Sequence, residues 1–185
     1  MNMNTTPMSF IMVFVLSVFS ISCVKNIDID QVNDFVATPE VKLALINFYV
    51  AQTNLVIEGT DTEINEVVDT SKFNAFDNSV MQNNLERAVL EFKIQNQFDR
   101  TFEVEFLFLD ENDQIMYSVP TLVINGAELE HKEEVIVANT PAFLAAKQIQ
   151  TRLRLKPTAD GSIIDVKDPK KINFQSGVTL YLKIE

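Results

Sequence analysis

One cysteine, one histidine, no tryptophan and four glycines occur in 185 residues, and these shortages remove whole classes of chemistry. A lone cysteine makes no internal disulfide and no thiolate zinc cage. A lone histidine allows no multi-histidine metal centre and leaves a serine or cysteine triad a single candidate base. Basic residues are also short, 15 against 26 acidic ones, a formal charge of −11. A nucleic-acid binder needs a basic footprint to displace counterions, so that class is excluded as well. No cofactor motif is present. Carboxylates are plentiful, and composition alone leaves a two-carboxylate hydrolase open.

Charge is missing altogether from the first 24 residues, the first charged side chain being Lys25. Within that stretch Phe10 to Phe19 is almost unbroken apolar sequence. A run of about ten residues matches the apolar centre of a secretory signal, whereas a membrane-spanning helix needs about twenty. Residues 1–22 are therefore read as a signal peptide, with a retained transmembrane anchor as the alternative.

Ser20-Ile21-Ser22-Cys23 follows directly. It resembles the lipobox of bacterial lipoproteins, in which small residues precede an obligatory cysteine. The resemblance implies cleavage between Ser22 and Cys23 and a diacylated thioether on Cys23, with a further acyl chain on its amine. Each buried CH₂ contributes about 0.8 kcal/mol, so two or more chains hold a protein durably to a bilayer. The alternative is a plain thiol beside a cleaved secretory signal. Residues 23–40 then form the lipidated cysteine and a polar tether. Asp28 and Asp30 faintly resemble the acidic surface-export tag of some Bacteroidota lipoproteins, and a solvated linker is the simpler reading.

Residues 41–185 carry the signature of a sheet protein, strict apolar–polar alternation. It runs through Ala88 to Gln95, in part through Phe102 to Phe108, then through Ile149 to Lys156 and Val178 to Glu185. One wet face on each argues for antiparallel sheets. Less regular candidates are Leu43 to Glu58, Ile115 to Val119, Leu122 to Ile124 and Glu133 to Ala138. Asn96 to Arg100 and Asp110 to Gln114 read as hairpin loops. Gly59, Gly126, Gly161 and Gly177 fall at the edges of the alternating runs, none inside a strand. Thr140-Pro141 opens a short helix that plugs one end of the stack. The stretch Thr60 to Asn84 is the least regular and reads as a long loop or edge insertion. The expected fold is an all-β antiparallel sandwich of seven to nine strands, immunoglobulin-like in architecture, with one short helix; a small barrel is the alternative.

Candidate chemistry is sparse. Asp110 to Gln114 begins like a calcium loop but has Ile115 and Thr121 where an EF-hand requires glycine and glutamate, so it reads as a polar hairpin tip. The run Glu128-Leu-Glu-His131-Lys-Glu-Glu134 surrounds the sole histidine with carboxylates and reads as an exposed charged loop. Glu103 and Glu105 share a strand face that looks solvated. Arg152, Arg154 and Lys156 line the polar side of another strand, and cross-strand ion pairs with Glu91, Glu103 and Glu105 would satisfy both sets. No catalytic, cofactor or metal residue is assigned.

The signal, the lipobox-like SISC and the Phe-rich strand pair joined through Asn96 to Arg100 and Asp110 to Gln114 resemble the small uncharacterised lipoproteins of Flavobacteria and related Bacteroidota. The likeness extends to Thr140-Pro-Ala-Phe-Leu and the closing Phe174 to Leu182. It implies an outer-membrane location and a β-sandwich, with no active site to carry over. The expectation is a non-enzymatic envelope lipoprotein, held to the membrane by acylated Cys23 and docking on another outer-membrane or envelope protein. A glycan- or small-molecule-binding surface lipoprotein is the second reading. It calls for an exposed aromatic platform, and Tyr49, Tyr117 and Tyr181 are not clustered in sequence.

Overall fold

The computed structural model describes residues 36–184; the signal peptide, the Ser22–Cys23 junction and the tether expected from the sequence up to Phe35 lie outside the described residues. Among the described residues nine strands form: β1 (Glu40–Ala51), β2 (Glu66–Lys72), β3 (Leu85–Asn96), β4 (Phe102–Leu109), β5 (Ile115–Ser118), β6 (Leu122–Ile124), β7 (Glu128–Ile136), β8 (Gln148–Leu155) and β9 (Lys171–Leu182). One short helix, α1 (Ser79–Asn84), precedes β3, its first turn capped by the Asn78 side chain, which accepts from the Val80 N–H at 2.7 Å.

All strand pairing is antiparallel. The first sheet has the order β1-β9-β3-β7 and the second β2-β8-β4-β5, with β6 also on β4. β5 and β6 occupy successive stretches of one edge of β4 and form one strand interrupted at Pro120, which has no N–H to give a ladder. The two-layer, all-β antiparallel sandwich with a short helix is thus what the residues build. Its strand order carries a further distinction. In an immunoglobulin domain several consecutive strands are neighbours in one sheet. With β5 and β6 counted as that single interrupted strand, every consecutive pair except β4–β5 crosses between sheets, which is the winding of an eight-stranded jelly roll.

The alternation seen in sequence is the alternation of burial. Leu90, Phe92 and Ile94 of β3 and Val104, Phe106 and Phe108 of β4 are all buried and face one another across the layers. Phe92 stacks on Phe106 with ring centroids 4.2 Å apart. Close-packed aromatic pairs of this kind contribute beyond the area they bury. Around Pro141–Ala145 the chain forms a 3-10 turn rather than an α-helix, and Thr140 makes no side-chain cap. The plug is nevertheless there: Phe143 is fully buried, in edge contact with Phe76, Phe108 and Tyr117 at 5.1, 5.2 and 5.6 Å.

Four local expectations change. Asn96 to Arg100 is an arch between sheets, not a hairpin, because β3 pairs with β7 and β9 while β4 pairs with β5, β6 and β8. Thr60 to Asn84 contains β2 and α1. Glu128 to Glu134 is strand β7, not a loop. Gly177 lies inside β9, where a Cβ would stand 3.2 Å from the Leu43 carbonyl oxygen, so glycine is what lets β1 approach. By contrast Asp110 to Gln114 is a polar hairpin tip as expected, the Asp110 carboxylate accepting the N–H groups of Asn112 and Gln114 at 2.8 Å each.

The two ends of the sandwich differ. At one, Ala37 pairs with Ile184, so both ends of the domain meet beside α1 and the Phe143 plug. The opposite end carries the loops 52–65, 97–101, 125–127 and 156–170.

Candidate functional site

The loop end is built around one ion pair. Arg100, in the β3–β4 arch, donates from Nη1 and Nη2 to both oxygens of Glu63 at 2.6 and 3.0 Å, with the two side chains only 8% and 14% exposed. The same guanidinium donates to the carbonyls of Ser162 and Lys156, and Glu63 accepts the Ile164 N–H at 2.8 Å. Three loops are thereby fastened to one another. Burial alone would raise the Glu63 pKa, but the hydrogen bonds from Arg100 and Ile164, with the Arg100 charge, more than offset it and hold the carboxyl below its ordinary value.

Beside this clasp residues 55–64 fold into a small hairpin. Ile64 N–H bonds the Leu55 carbonyl at 2.8 Å and Ile57 N–H the Thr62 carbonyl at 2.9 Å. Gly59, at φ +75°, provides the left-handed residue its tip requires. The hairpin walls a hollow of about 600 Å³ lined by Val56, Ile57, Glu58, Thr60, Asp61 and Val166. Ile57, Ile163 and Val166 are all more than 40% exposed at this end. In loops 52–65, 97–101 and 156–170 seven acidic side chains stand against four basic ones, a net −3.

A second constellation sits at the open edge between β5 and β7. β7 turns Leu129, His131, Glu133 and Val135 inward, opposite Ile94, Phe92, Leu90 and Ala88. Tyr117 Oη donates to Glu133 Oε1 at 2.6 Å, and His131 Nε2 lies 3.3 Å from Glu133 Oε2. Burial, then the hydrogen bond and charge of Glu133, push the Tyr117 phenol far above its ordinary value, so it serves as a donor and not as a base. Sequence reasoning missed this cluster because a strand with a histidine and a glutamate on its inner face has no apolar period. Among the described residues no group of three or more histidine, cysteine and carboxylate side chains could hold a metal ion.

The carboxylates and cations of the outer faces are brought together as cross-strand pairs. Arg154 bridges Glu66 and Glu105 at 2.7 Å each, and Lys156 meets Glu103 at 2.7 Å. Arg152 reaches the same two glutamates as Arg154, at 3.7 and 3.6 Å. Glu91 pairs with Lys132 on the other sheet rather than with any of these arginines. Tyr49 and Tyr181, distant in sequence, lie on the same outer face of the first sheet, on β1 and β9, while Tyr117 is held at the edge.

No protein-family model matches the chain, and no curated protein does. Several solved structures are distantly similar. A protein of Parabacteroides distasonis ATCC 8503 thought to be secreted aligns with a TM-score of 0.48 and 16% identity, over 62% of this chain and 38% of its own. The VP2 subviral particle of infectious bursal disease virus gives 0.43 and 4%, over 78% and 32%. A protein of the disulfide-linked pili of Bacillus endospore appendages gives 0.35 and 12%, over 81% and 93%. This chain therefore spans well under half the length of the first two. Among the described residues no helix is long and apolar enough to cross a membrane.

Proposed function

We propose that this chain is a non-enzymatic envelope lipoprotein, anchored by acylated Cys23, whose jelly-roll domain docks another envelope protein through its loop end. The observation that carries the reading is the position of the exposed Ile57, Ile163 and Val166: they sit at the end of the sandwich opposite Ala37, where the chain joins the domain. An anchor at Cys23 leaves 13 residues before Ala37, a reach of at most about 45 Å when extended. A domain attached in this way carries its tether at the plugged end and its apolar, acidic loops at the opposite end. An apolar centre with a net negative rim suits a polypeptide segment that carries an aliphatic or aromatic anchor flanked by lysine or arginine. The signal peptide and SISC sequence support an outer-membrane address.

Two measurements on native membranes test this. Mass spectrometry of the N-terminal peptide is expected to begin at an acylated Cys23, and Cys23→Ala to release the protein from the membrane fraction. A photo-crosslinking residue at 57 or 166 is expected to capture one and the same envelope protein, a product absent from position 68 on the outer face of the other sheet and abolished by Glu58→Lys with Asp61→Lys. A soluble protein with an unmodified thiol would overturn the anchor. Equal capture at 57 and 68, or capture insensitive to the charge reversal, would overturn the docking end.

A further inference from the structure

The outer face of the first sheet presents a second, chemically different surface. Its charges nearly cancel: five acidic and five basic side chains stand at the paired outward positions of β1, β9, β3 and β7, with Glu86 also exposed at the β3 bulge, in a chain that is otherwise acidic. Most are tied to one another, Lys93 to Glu128 and Glu130, Lys132 to Glu91, and Arg87 to Glu134. A charged partner finds little net field here.

What the face offers instead is amide and aromatic surface. Asn47 on β1 pairs with Gln175 on β9, and Tyr49 with Asn173, so these four side chains occupy two adjoining rows. Neighbouring strands lie about 4.8 Å apart and alternate residues about 6.7 Å, which places all four within one small patch. Among the described residues the amides of Asn47, Asn173 and Gln175 make no hydrogen bond, so their donors and acceptors are open to a ligand. Tyr49 is 61% exposed, with the Lys171 amine 5.4 Å from its ring centroid. Gln175 also borders a trough of about 370 Å³, lined by Glu91, Lys93, Glu130 and Lys132 and by Gly177, which adds no side chain to it.

We propose that this face binds a neutral glycan chain, seated on Tyr49 and hydrogen-bonded by Asn47, Asn173 and Gln175, with its continuation lying along the trough over Gly177. The chemistry matches part by part. Planar amides present a donor and an acceptor side by side, the arrangement that vicinal hydroxyls pair with. An exposed phenol ring covers the C–H face of a sugar while its hydroxyl stays wet. A balanced set of paired charges lining a shallow trough adds hydrogen-bonding groups without favouring an anion or a cation. This site is separate from the loop end and does not depend on it.

Affinity electrophoresis of the full chain in detergent tests the site, with gels containing a soluble β-glucan, mannan, xylan or dextran, and polygalacturonate as the anionic comparison. Retardation by at least one neutral polysaccharide is expected. Tyr49→Ala should weaken it about tenfold or more, and Gln175→Ala or Asn47→Ala about fivefold, the factor expected for one hydrogen bond. All three residues are on the surface, so circular dichroism and melting should match the parent. Ile57→Ser, at the docking end, should leave retardation intact, which separates this site from that one. No retardation by any neutral polysaccharide, retardation by polygalacturonate alone, or retardation that survives Tyr49→Ala would overturn the proposal.

Discussion

Glu63 and Arg100 stand 37 positions apart in the chain and meet through two hydrogen bonds, closing one end of the sandwich with a pair almost sealed from solvent. Removing either partner strands the other charge in a site built for two. Arg100→Ala is expected to cost about 3 kcal/mol of unfolding free energy, measured by urea denaturation. It should also release the loop 156–170, seen as faster amide exchange at Ile164, whose N–H loses an ordered acceptor. A loss below about 0.5 kcal/mol would show that the clasp is solvated.

The same pair sets a pH dependence. The folded-state pKa of Glu63 is depressed, so the native state binds fewer protons there than the unfolded chain does. Its contribution is complete above the ordinary carboxylate range and fades as pH falls through the folded value. In Glu63→Gln this acid-side loss should be smaller than in the parent when stability is followed from pH 6 downward. Identical slopes would assign the acid sensitivity to other carboxylates.

Tyr117 acts on the alkaline side. Its folded pKa is raised, so the native state holds that proton while an unfolded phenol gives it up near pH 10. Stability from this group is unchanged below about pH 10 and declines as pH rises beyond it. Ultraviolet titration of the folded protein should show one phenol fewer ionising than after unfolding, a difference that Tyr117→Phe removes. The same substitution should cost about 1 kcal/mol near neutral pH through the bond lost to Glu133.

Gly177 and Phe92 test packing in two places. Gly177→Val would press a branched side chain toward the Leu43 carbonyl, already 3.2 Å from where a Cβ would sit, and should cost about 1–3 kcal/mol while speeding amide exchange along β1. Phe92→Ala opens a void against Phe106 in the centre of the stack and should cost about 3–5 kcal/mol. If the two losses were equal and exchange in β1 unchanged, the close approach at Gly177 would not be what holds the edge strand.

The strands that were legible are those with one dry face and one wet one. β3, β4, β8 and β9 lie inside their sheets, where burial enforces a two-residue period. β2 and β7 are edge strands whose inner faces open toward solvent, so Asp69, His131 and Glu133 are tolerated there and the period disappears. Pairing order was not legible for another reason. An alternating run buries the same face whether its neighbour is the next strand or one from the far end of the chain, so an arch at Asn96 to Arg100 and a hairpin look alike. The charge pairs of β8 with β4 were foreseeable because they need only adjacent strands. The amide patch was not, since Asn47, Tyr49, Asn173 and Gln175 become neighbours only through the β1–β9 register.

The bridge between Ala37 and Ile184 makes the domain nearly a closed ring of chain. A short linker could join these positions, and new termini could then be cut into loop 156–170 at the other end, since chains with adjacent ends commonly survive such permutation. Such a permutant would receive its N-terminal segment at the loop end instead of beside α1. Every residue of the domain would keep its neighbours while the point of attachment moved to the opposite end, which separates what the domain recognises from where it is tethered.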